Sequence, residues 1–435
     1  MDYDLAIIGS GWAGFNAALK AKAHGLKVAL IEKEQIGGTC LNRGCIPTKA
    51  LLQSAKIYTL TKKSKIFGIE TTTPQINFPE IQARKNTIIQ QLQKGLEFML
   101  KGVDFINTQA RILSNNTLEI GQRQINTKFM LIATGSKPAE LHDIKFDGKK
   151  IISSNEILDL REIPKSLLII GGGVIGCEFA SLFSVLGCQV SIVELTPQLL
   201  PGIDKEIAKK LETIFKKKNI RAITNTDAKN LDLTHYELVL LCIGRTSVTE
   251  GLGLDKLGIK LENGRIVVDE YLKTSIPNIY AAGDCASKIM LAHFAAYQGG
   301  IAADNITDPK HPKKCSDYNI PNCIFTDPEI GSVGLTEEEA KSKNIDIRIN
   351  KFDFLGSGMA RILDETEGFV KIISNKKTNE ILGASIIGPR ATELIGILTI
   401  AIQSRLLVTQ VQDTILAHPT LSEGITSALK EGYGL

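Results

Sequence analysis

The chain has 435 residues, 43% hydrophobic and 23% charged, with 51 Lys+Arg against 47 Asp+Glu and a formal net charge of +4. That length allows two or three domains, and the composition is that of a globular protein rather than a disordered or fibrous one. No run approaches the roughly 18 apolar residues of a membrane span, and the densest basic run, Lys216-Lys217-Lys218, has no accompanying stripe to mark a nucleic-acid partner.

Met1-Asp2-Tyr3-Asp4 is acidic and enters a strand at once, so no leader is expected. The first element is a short buried strand, Leu5–Ile8, running into Gly9-x-Gly11-x-x-Gly14 and a helix over Phe15–His24; a second strand, Val28–Ile31, ends on Glu32. These are the working parts of a dinucleotide fold. The first glycine turns the chain, the second lets a pyrophosphate reach the backbone, and the third lets helix and strand pack, while the acidic residue accepts hydrogen bonds from a ribose. The helix N-terminus offers unpaired N–H groups to the phosphates. Trp12 and Phe15 beside the turn read as packing residues.

Next comes Gly37-Gly38-Thr39-Cys40-Leu41-Asn42-Arg43-Gly44-Cys45-Ile46-Pro47-Thr48-Lys49. Two cysteines five positions apart on a regular helix are separated by about 7.5 Å along its axis, too far for a disulfide, so the backbone between Cys40 and Cys45 has to bend. Gly37, Gly38 and Gly44 permit the bend, and Pro47 suits the first turn of a helix through Leu52. The pair can be a reducible disulfide, two free buried thiols or half of a metal site. The pattern matches neither a zinc pairing, which wants a second pair elsewhere, nor a C-x-x-C redox motif. With the remaining cysteines scattered, a reducing, cytoplasmic setting is expected.

A strand ends at Ile132-Ala133-Thr134-Gly135, and the same grammar then recurs: Leu167–Ile170, Gly171-x-Gly173-x-x-Gly176, a helix to Leu186, a strand Val190–Val193, and Glu194. A carboxylate at Glu194 repels a 2′-phosphate, so NAD is preferred over NADP. Leu241-Cys242-Ile243-Gly244 ends a further strand. Asn278–Asp284 is a strand and turn whose Asp284 suits a ribityl or phosphate-bridging contact or, more ordinarily, a helix cap; a small-residue helix follows through His293 and Ala303. Beyond Pro312, short strands such as Gly368–Ile373 and Ile381–Ile387 sit between helical segments and predict an α+β domain.

Near the C-terminus stands His418-Pro419-Thr420-Leu421-Ser422-Glu423. Proline favours the first helical position, which places His418 just ahead of a helix and lets Glu423 fold back to it. A carboxylate partner fixes a histidine's tautomer, the arrangement of an oriented acid-base group, although an arbitrary histidine at this spacing is more often a surface residue.

Taken together, Gly37–Lys49, the two dinucleotide turns, Ala281–Asp284, Ile324–Ile330 and His418–Glu423 resemble the pyridine nucleotide-disulfide oxidoreductases in family order over nearly the whole chain, most closely the branch that oxidises dihydrolipoamide. The resemblance implies an α/β fold of two Rossmann-like dinucleotide-binding domains plus a C-terminal α+β dimerisation domain. Residues 1–145 and 266–312 would form the FAD-binding domain in two parts, 146–265 the NAD-binding domain and 313–435 the interface domain. It implies FAD at Gly9, Gly11, Gly14, Glu32, Thr134, Gly135 and Asp284, and NAD at Gly171, Gly173, Gly176, Glu194 and Gly244. Cys40 would be the interchange thiol and Cys45 the thiol facing the flavin, with Lys49 near the flavin ring and Glu178 its ion partner. His418 and Glu423 would serve the active site of the other subunit of a homodimer, the substrate being carried by lipoyl domains of 2-oxoacid dehydrogenase complexes or of the glycine cleavage system; no metal is implied.

Three positions depart from the pattern: Arg43 where an apolar residue is common, Leu416 where a histidine is often found, and a short Thr224–Tyr236 stretch that lacks a hairpin. A glutathione- or mercuric-reductase-like activity is the rival reading. Glu194 argues against the NADPH-driven form, and Gly432-Tyr433-Gly434-Leu435 lacks the cysteine pair of a mercury enzyme.

Overall fold

The computed structural model describes residues 1–431, and the Gly432–Leu435 tetrapeptide lies outside the described residues. Strand β1 (Tyr3–Ile8) and strand β2 (Val28–Glu32) flank helix α1 (Trp12–Ala23). Both strands are buried on both faces, which is why they read as unbroken apolar runs rather than alternating ones. The chain then forms α2 (Gly38–Arg43), α3 (Cys45–Lys62) and α4 (Phe78–Met99), followed by β3 (Asp104–Asn107), β4 (Ala110–Ile112), β5 (Thr117–Ile120) and β6 (Arg123–Ile132). Strand β6 does two jobs. Its C-terminal half pairs parallel with β1, Ile8 opposite Ile132, while its N-terminal half pairs antiparallel with β5.

After β7 (Ser136–Pro138) a second parallel sheet is built from β8 (Ile151–Ile152), β9 (Ser166–Ile170), β10 (Gln189–Val193), β11 (Arg221–Ile223) and β12 (Leu238–Leu241), in the order β11-β10-β9-β12-β8. Helix α5 (Val174–Val185) joins β9 to β10, and α6 (Lys205–Lys217) joins β10 to β11. Strand β13 (Arg245–Ser247) returns to pair antiparallel with β7 and so ties the two units together. A small ribbon, β14 (Leu261–Glu262) and β15 (Arg265–Ile266), precedes β16 (Ile279–Ala281), which completes the first sheet beside β6. Helix α7 (Ala292–Thr307) then packs against α1.

The C-terminal unit is a five-stranded antiparallel sheet of β17 (Asn322–Ile324), β18 (Glu329–Gly334), β19 (Ile347–Asp353), β20 (Phe369–Asn375) and β21 (Ile381–Gly388), ordered β17-β18-β21-β20-β19. Between and after these strands come α8 (Glu337–Ser342), α9 (Gly358–Ile362), α10 (Ala391–Gln403), α11 (Val408–Gln412) and α12 (Glu423–Glu431). It has its own core, with Leu394, Leu398, Ile425 and Leu429 packed on Val370, Ile372 and Ile386.

Several local expectations change. Helix α3 starts at Cys45, so Pro47 stands in its third position, where an N–H still has no intrahelical partner. Pro419 is not the first residue of a helix either; α12 begins at Glu423. The short Thr224–Tyr236 stretch contains two single-turn 3-10 helices, each opened by an aspartate, Asp227 and Asp232. The basic run closes α6, where Lys217 pairs with Glu367 and Lys218 with Asp327.

Candidate active site

Each glycine turn lies where its sheet's strand order reverses, since β1 sits between β2 and β6, and β9 between β10 and β12. In open α/β sheets that crevice, beyond the carboxyl ends of the strands, is where nucleotides bind. Gly9 and Gly171 adopt φ of +104° and +109°, a region that penalises any side chain. A Cβ on Gly14 would lie 1.9 Å from the Gly9 carbonyl oxygen, and one on Gly176 2.1 Å from that of Gly171. The protein itself therefore requires the first and third glycines. The middle ones differ: a Cβ on Gly11 or Gly173 would meet no protein atom within 4 Å, which leaves an open cradle suited to a pyrophosphate. Neither α1 nor α5 has a side-chain N-cap hydrogen bond or an acidic residue in its first turn. Their first-turn N–H groups and positive helix ends are thus available to an anion.

The acidic residues brace these turns. Ser10 donates to Glu32 Oε2 from its backbone N at 2.8 Å and from Oγ at 2.9 Å. Gly172 N donates to Glu194 Oε2 at 2.7 Å, and Thr196 N to Oε1 at 2.8 Å. Both Glu194 oxygens, and Glu32 Oε1, which takes only Glu34 N at 2.9 Å, retain a lone pair for a ribose hydroxyl. A cavity of about 390 Å³ is lined by Gly9, Glu32, Thr134 and Gly135, and one of about 840 Å³ by Cys40, Cys45, Lys49, Gly173, Glu194 and Gly244. Gly11 and Gly135 line both, so an extended cofactor can run from one to the other.

The cysteines stand on the wall of the larger cavity. Gly44, at φ −152° and ψ −111°, breaks the helical path between α2 and α3 and supplies the bend that the spacing demands. Both residues are thiols in this structure, and among the described residues no group of three metal-ligating side chains gathers around them. They are not equivalent. The Cys40 thiol donates to the Cys45 sulfur, and this bond, reinforced by the charge on Lys49 and opposed by burial, lowers the Cys45 pKa to about 7. The same bond, together with burial, pushes the Cys40 thiol well above its ordinary value. The cation acting on Cys45 is Lys49; Arg43 has a partner of its own in Glu34.

Lys49 Nζ binds both oxygens of Glu178, at 2.8 and 2.7 Å, and lies 4.7 Å from the centre of the Phe325 ring. Phe325 N donates to Glu178 Oε1 at 2.9 Å. Residues from α3, α5 and the loop after β17 therefore meet at one buried carboxylate. Phe325 had no separate signal in the sequence beyond its place in Ile324–Ile330.

Asp284 is not a helix cap, because α7 begins at Ala292 with Leu291 as its N-cap. Its Oδ2 accepts from Ser136 Oγ at 2.5 Å, and Ser136 Oγ in turn accepts from Arg245 Nε at 2.7 Å. Ser136 and Arg245 were missed by sequence reasoning. They come together only through the pairing of β7 with β13, a long-range contact that no local pattern encodes.

His418 Nδ1 lies 2.9 Å from Glu423 Oε1, and Thr420 N donates to Glu423 Oε2 at 2.8 Å. The Thr420 N–H and the His418 ring hold the Glu423 carboxyl below its usual range. The His418 side chain is 80% exposed, and it is not among the residues lining the cavity of Cys40 and Cys45.

Residues 3–299 match the family described as Pyridine nucleotide-disulphide oxidoreductase, and residues 320–429 match its dimerisation domain. The chain belongs to this family. It is 38% identical to a dihydrolipoyl dehydrogenase of Bacillus subtilis, over 98% of this chain and 97% of that protein. It is 40% identical to one of Chlamydia pneumoniae, over 97% and 95% respectively. Among solved structures, the HOCl-induced flavoprotein disulfide reductase RclA from Escherichia coli is similar with a TM-score of 0.88 at 30% identity, covering 98% of this chain and 99% of that one. LpdA from Mycobacterium tuberculosis gives a TM-score of 0.90 at 27% identity, with 98% and 99% covered. The oxidoreductase uses FAD and NAD, and the glycine cradles, uncapped helix ends and paired cavities fit both. Among the described residues no helix is long and apolar enough to cross a membrane.

Proposed function

We propose that this oxidoreductase acts as a homodimer on dihydrolipoamide carried by lipoyl domains, oxidising it to lipoamide while NAD is reduced. The observation that carries the reading is the placement of Cys40 and Cys45 on the wall of the cavity that the second glycine turn also lines, between the two nucleotide sites. The dihydrolipoyl dehydrogenases of Bacillus subtilis and Chlamydia pneumoniae, similar over nearly their full length, point to the same substrate.

Gly9, Gly11, Gly14, Glu32, Thr134, Gly135 and Asp284 would hold FAD; Gly171, Gly173, Gly176, Glu194 and Gly244 would hold NAD. When bound, the cofactors take an electron pair from the cysteine pair and carry it away as hydride. The chain's own residues do the rest. His418, oriented by Glu423 and contributed by the other subunit, removes a proton from one lipoyl thiol. The thiolate attacks Cys40 of the disulfide, a mixed disulfide forms, and Cys45 leaves as thiolate. Once the histidine has released that first proton to solvent, the second lipoyl thiol gives its own proton to it, attacks its neighbour's sulfur and displaces Cys40 as thiolate. Lys49, fixed by Glu178, favours the Cys45 thiolate, the form that passes the electron pair on.

The deciding assay sets purified FAD-loaded protein with dihydrolipoamide and NAD beside NADPH with oxidised glutathione. NADH should form in the first. Loss of NADPH in the second, with no NADH in the first, would replace this reading by a glutathione-reductase-like one.

A further inference from the structure

Trp12, the only tryptophan in the chain, has a second role beside packing. Its ring meets Phe15 edge-on, centroids 6.2 Å apart at 85°, and it packs against the core between the first sheet and α1. Its polar tip is another matter. Nε1 is buried and has no hydrogen-bond partner among the described residues. A buried indole N–H nearly always finds an acceptor, and leaving one unmade costs about 1–3 kcal/mol. Such a donor is tolerated when an acceptor forms in another state of the same site.

The geometry names that acceptor. Trp12 opens α1, and Gly38, which opens α2, packs so tightly on the preceding turn that a Cβ there would lie 2.7 Å from Gly11 Cα. This contact brings Cys40, two residues farther along α2, onto the same cavity wall as Trp12. The groups acting on Cys40 are Cys45 and Lys49 from α3 and Trp12 from α1; the indole N–H approaches the Cys40 sulfur too loosely to make a hydrogen bond in this state, yet it favours the thiolate form. With both cysteines as thiols, Cys40 spends its hydrogen on Cys45, and a neutral sulfur is a poor acceptor for an indole N–H.

We propose that the indole N–H of Trp12 is the hydrogen-bond donor that receives the negative charge on Cys40 when disulfide exchange releases it. The inference rests on the dithiol oxidation described above. In the step concerned, the second lipoyl sulfur forms a bond to its neighbour, the bond from that neighbour to Cys40 breaks, and the electron pair stays on the Cys40 sulfur. The proton of the attacking thiol goes to His418. Trp12 transfers nothing; its N–H faces a charge that exists only once the bond breaks, so it stabilises the leaving group more than the ground state.

The test needs no lipoyl substrate, so it separates from the assay of the reaction itself. In the holoenzyme carrying Cys45→Ser, Cys40 is the exchange thiol left, and its alkylation by iodoacetamide is followed by mass spectrometry from pH 5 to 10. Trp12→Phe should slow alkylation roughly tenfold below the midpoint and move the midpoint up, because a hydrogen bond to a charged group is lost. Trp12→His, which keeps a ring N–H, should recover part of the rate. An identical pH profile for the Phe variant overturns the proposal. Should that variant lose FAD, global replacement by 5-fluorotryptophan labels this one position without altering the packing. Its ¹⁹F signal should titrate with Cys40 and stop titrating in Cys40→Ser, and a signal indifferent to Cys40 overturns the proposal equally.

Discussion

Lys49 reaches across the junction of the two nucleotide units to Glu178, whose Oε1 and Oε2 take its ammonium at 2.8 and 2.7 Å. The pair links the units, and its ammonium adds to the Cys40 hydrogen bond in lowering the Cys45 pKa, against burial and the opposing charge of Glu178. Replacing Lys49 by Met should move the pH midpoint of Cys45 ionisation up from about 7 by about one unit, read as thiolate absorbance in the reduced protein. It should also destabilise the fold by about 3 kcal/mol in urea unfolding, since Glu178, only 3% exposed, is left without its cation. Adding Glu178→Gln should restore most of the stability and bring the midpoint only partly back. A midpoint unmoved by Lys49→Met would leave Cys45 tuned by Cys40 alone.

The two classes of glycine predict opposite failures. Gly173 has φ −73° and open space at its Cβ position, so Gly173→Ala should fold normally and bind NAD at least tenfold more weakly, the methyl group meeting the pyrophosphate. Gly176→Ala places a methyl 2.1 Å from the Gly171 carbonyl oxygen and should cost about 1–3 kcal/mol of stability before any ligand is added. Thermal unfolding with and without NAD separates the two, and equal effects from both variants would contradict the division of labour.

Why these turns were readable in the sequence follows from their mechanics. The strand, the three glycines, the helix and the terminal acid all act within 28 residues, Leu5–Glu32 and Leu167–Glu194, so one local pattern carries the whole device. The Cys40–Cys45 loop was legible for the same reason, its spacing forcing a break that Gly44 supplies. Sequence reading lost its grip wherever the partner is remote. Ser136 and Arg245 are brought to Asp284 by strand pairing, and Phe325 reaches Glu178 from a separate unit. The start of α12 was misplaced because Pro419, suited to a first helical turn, sits in the irregular His418 segment instead.

A second junction predicts how acid acts on the fold. Lys371, 1% exposed on β20, meets Asp204 at 2.8 Å, Glu206 at 2.9 Å and Glu337 at 2.8 Å, which joins the N-terminus of α6 to the C-terminal sheet. Hydrogen bonds from Lys341 and Lys371 pull Glu337 from 4.5 to about 2. A carboxyl depressed in the folded state adds stability that is complete above its unfolded pKa and is lost as pH falls through the folded value. Glu337→Gln should therefore be less stable than the native chain by about 2 kcal/mol at pH 6, and the gap should close as pH falls from 4.5 towards about 2. Urea midpoints at pH 6, 4 and 3 measure it, and a gap independent of pH would remove Glu337 from the acid response.

The His418–Glu423 pair gives the sharpest functional prediction, because it is well formed yet stands away from the cysteines of its own chain. Glu423 binds Nδ1 at 2.9 Å and is itself pinned by Thr420 N at 2.8 Å, so Nε2 is the ring atom left to face a substrate. His418→Gln should slow dithiol oxidation by about a hundredfold or more while FAD content stays unchanged. A subunit-shared site makes a further demand. Cys45→Ser and His418→Gln homodimers should each be nearly inactive, but co-expression should yield mixed dimers with one site assembled from an intact cysteine pair and an intact histidine. Such dimers, isolated with two affinity tags, should regain activity with the native pH profile. If they stay as inactive as their parents, His418 does not work across the dimer and the exposed pair must reach Cys40 within its own chain.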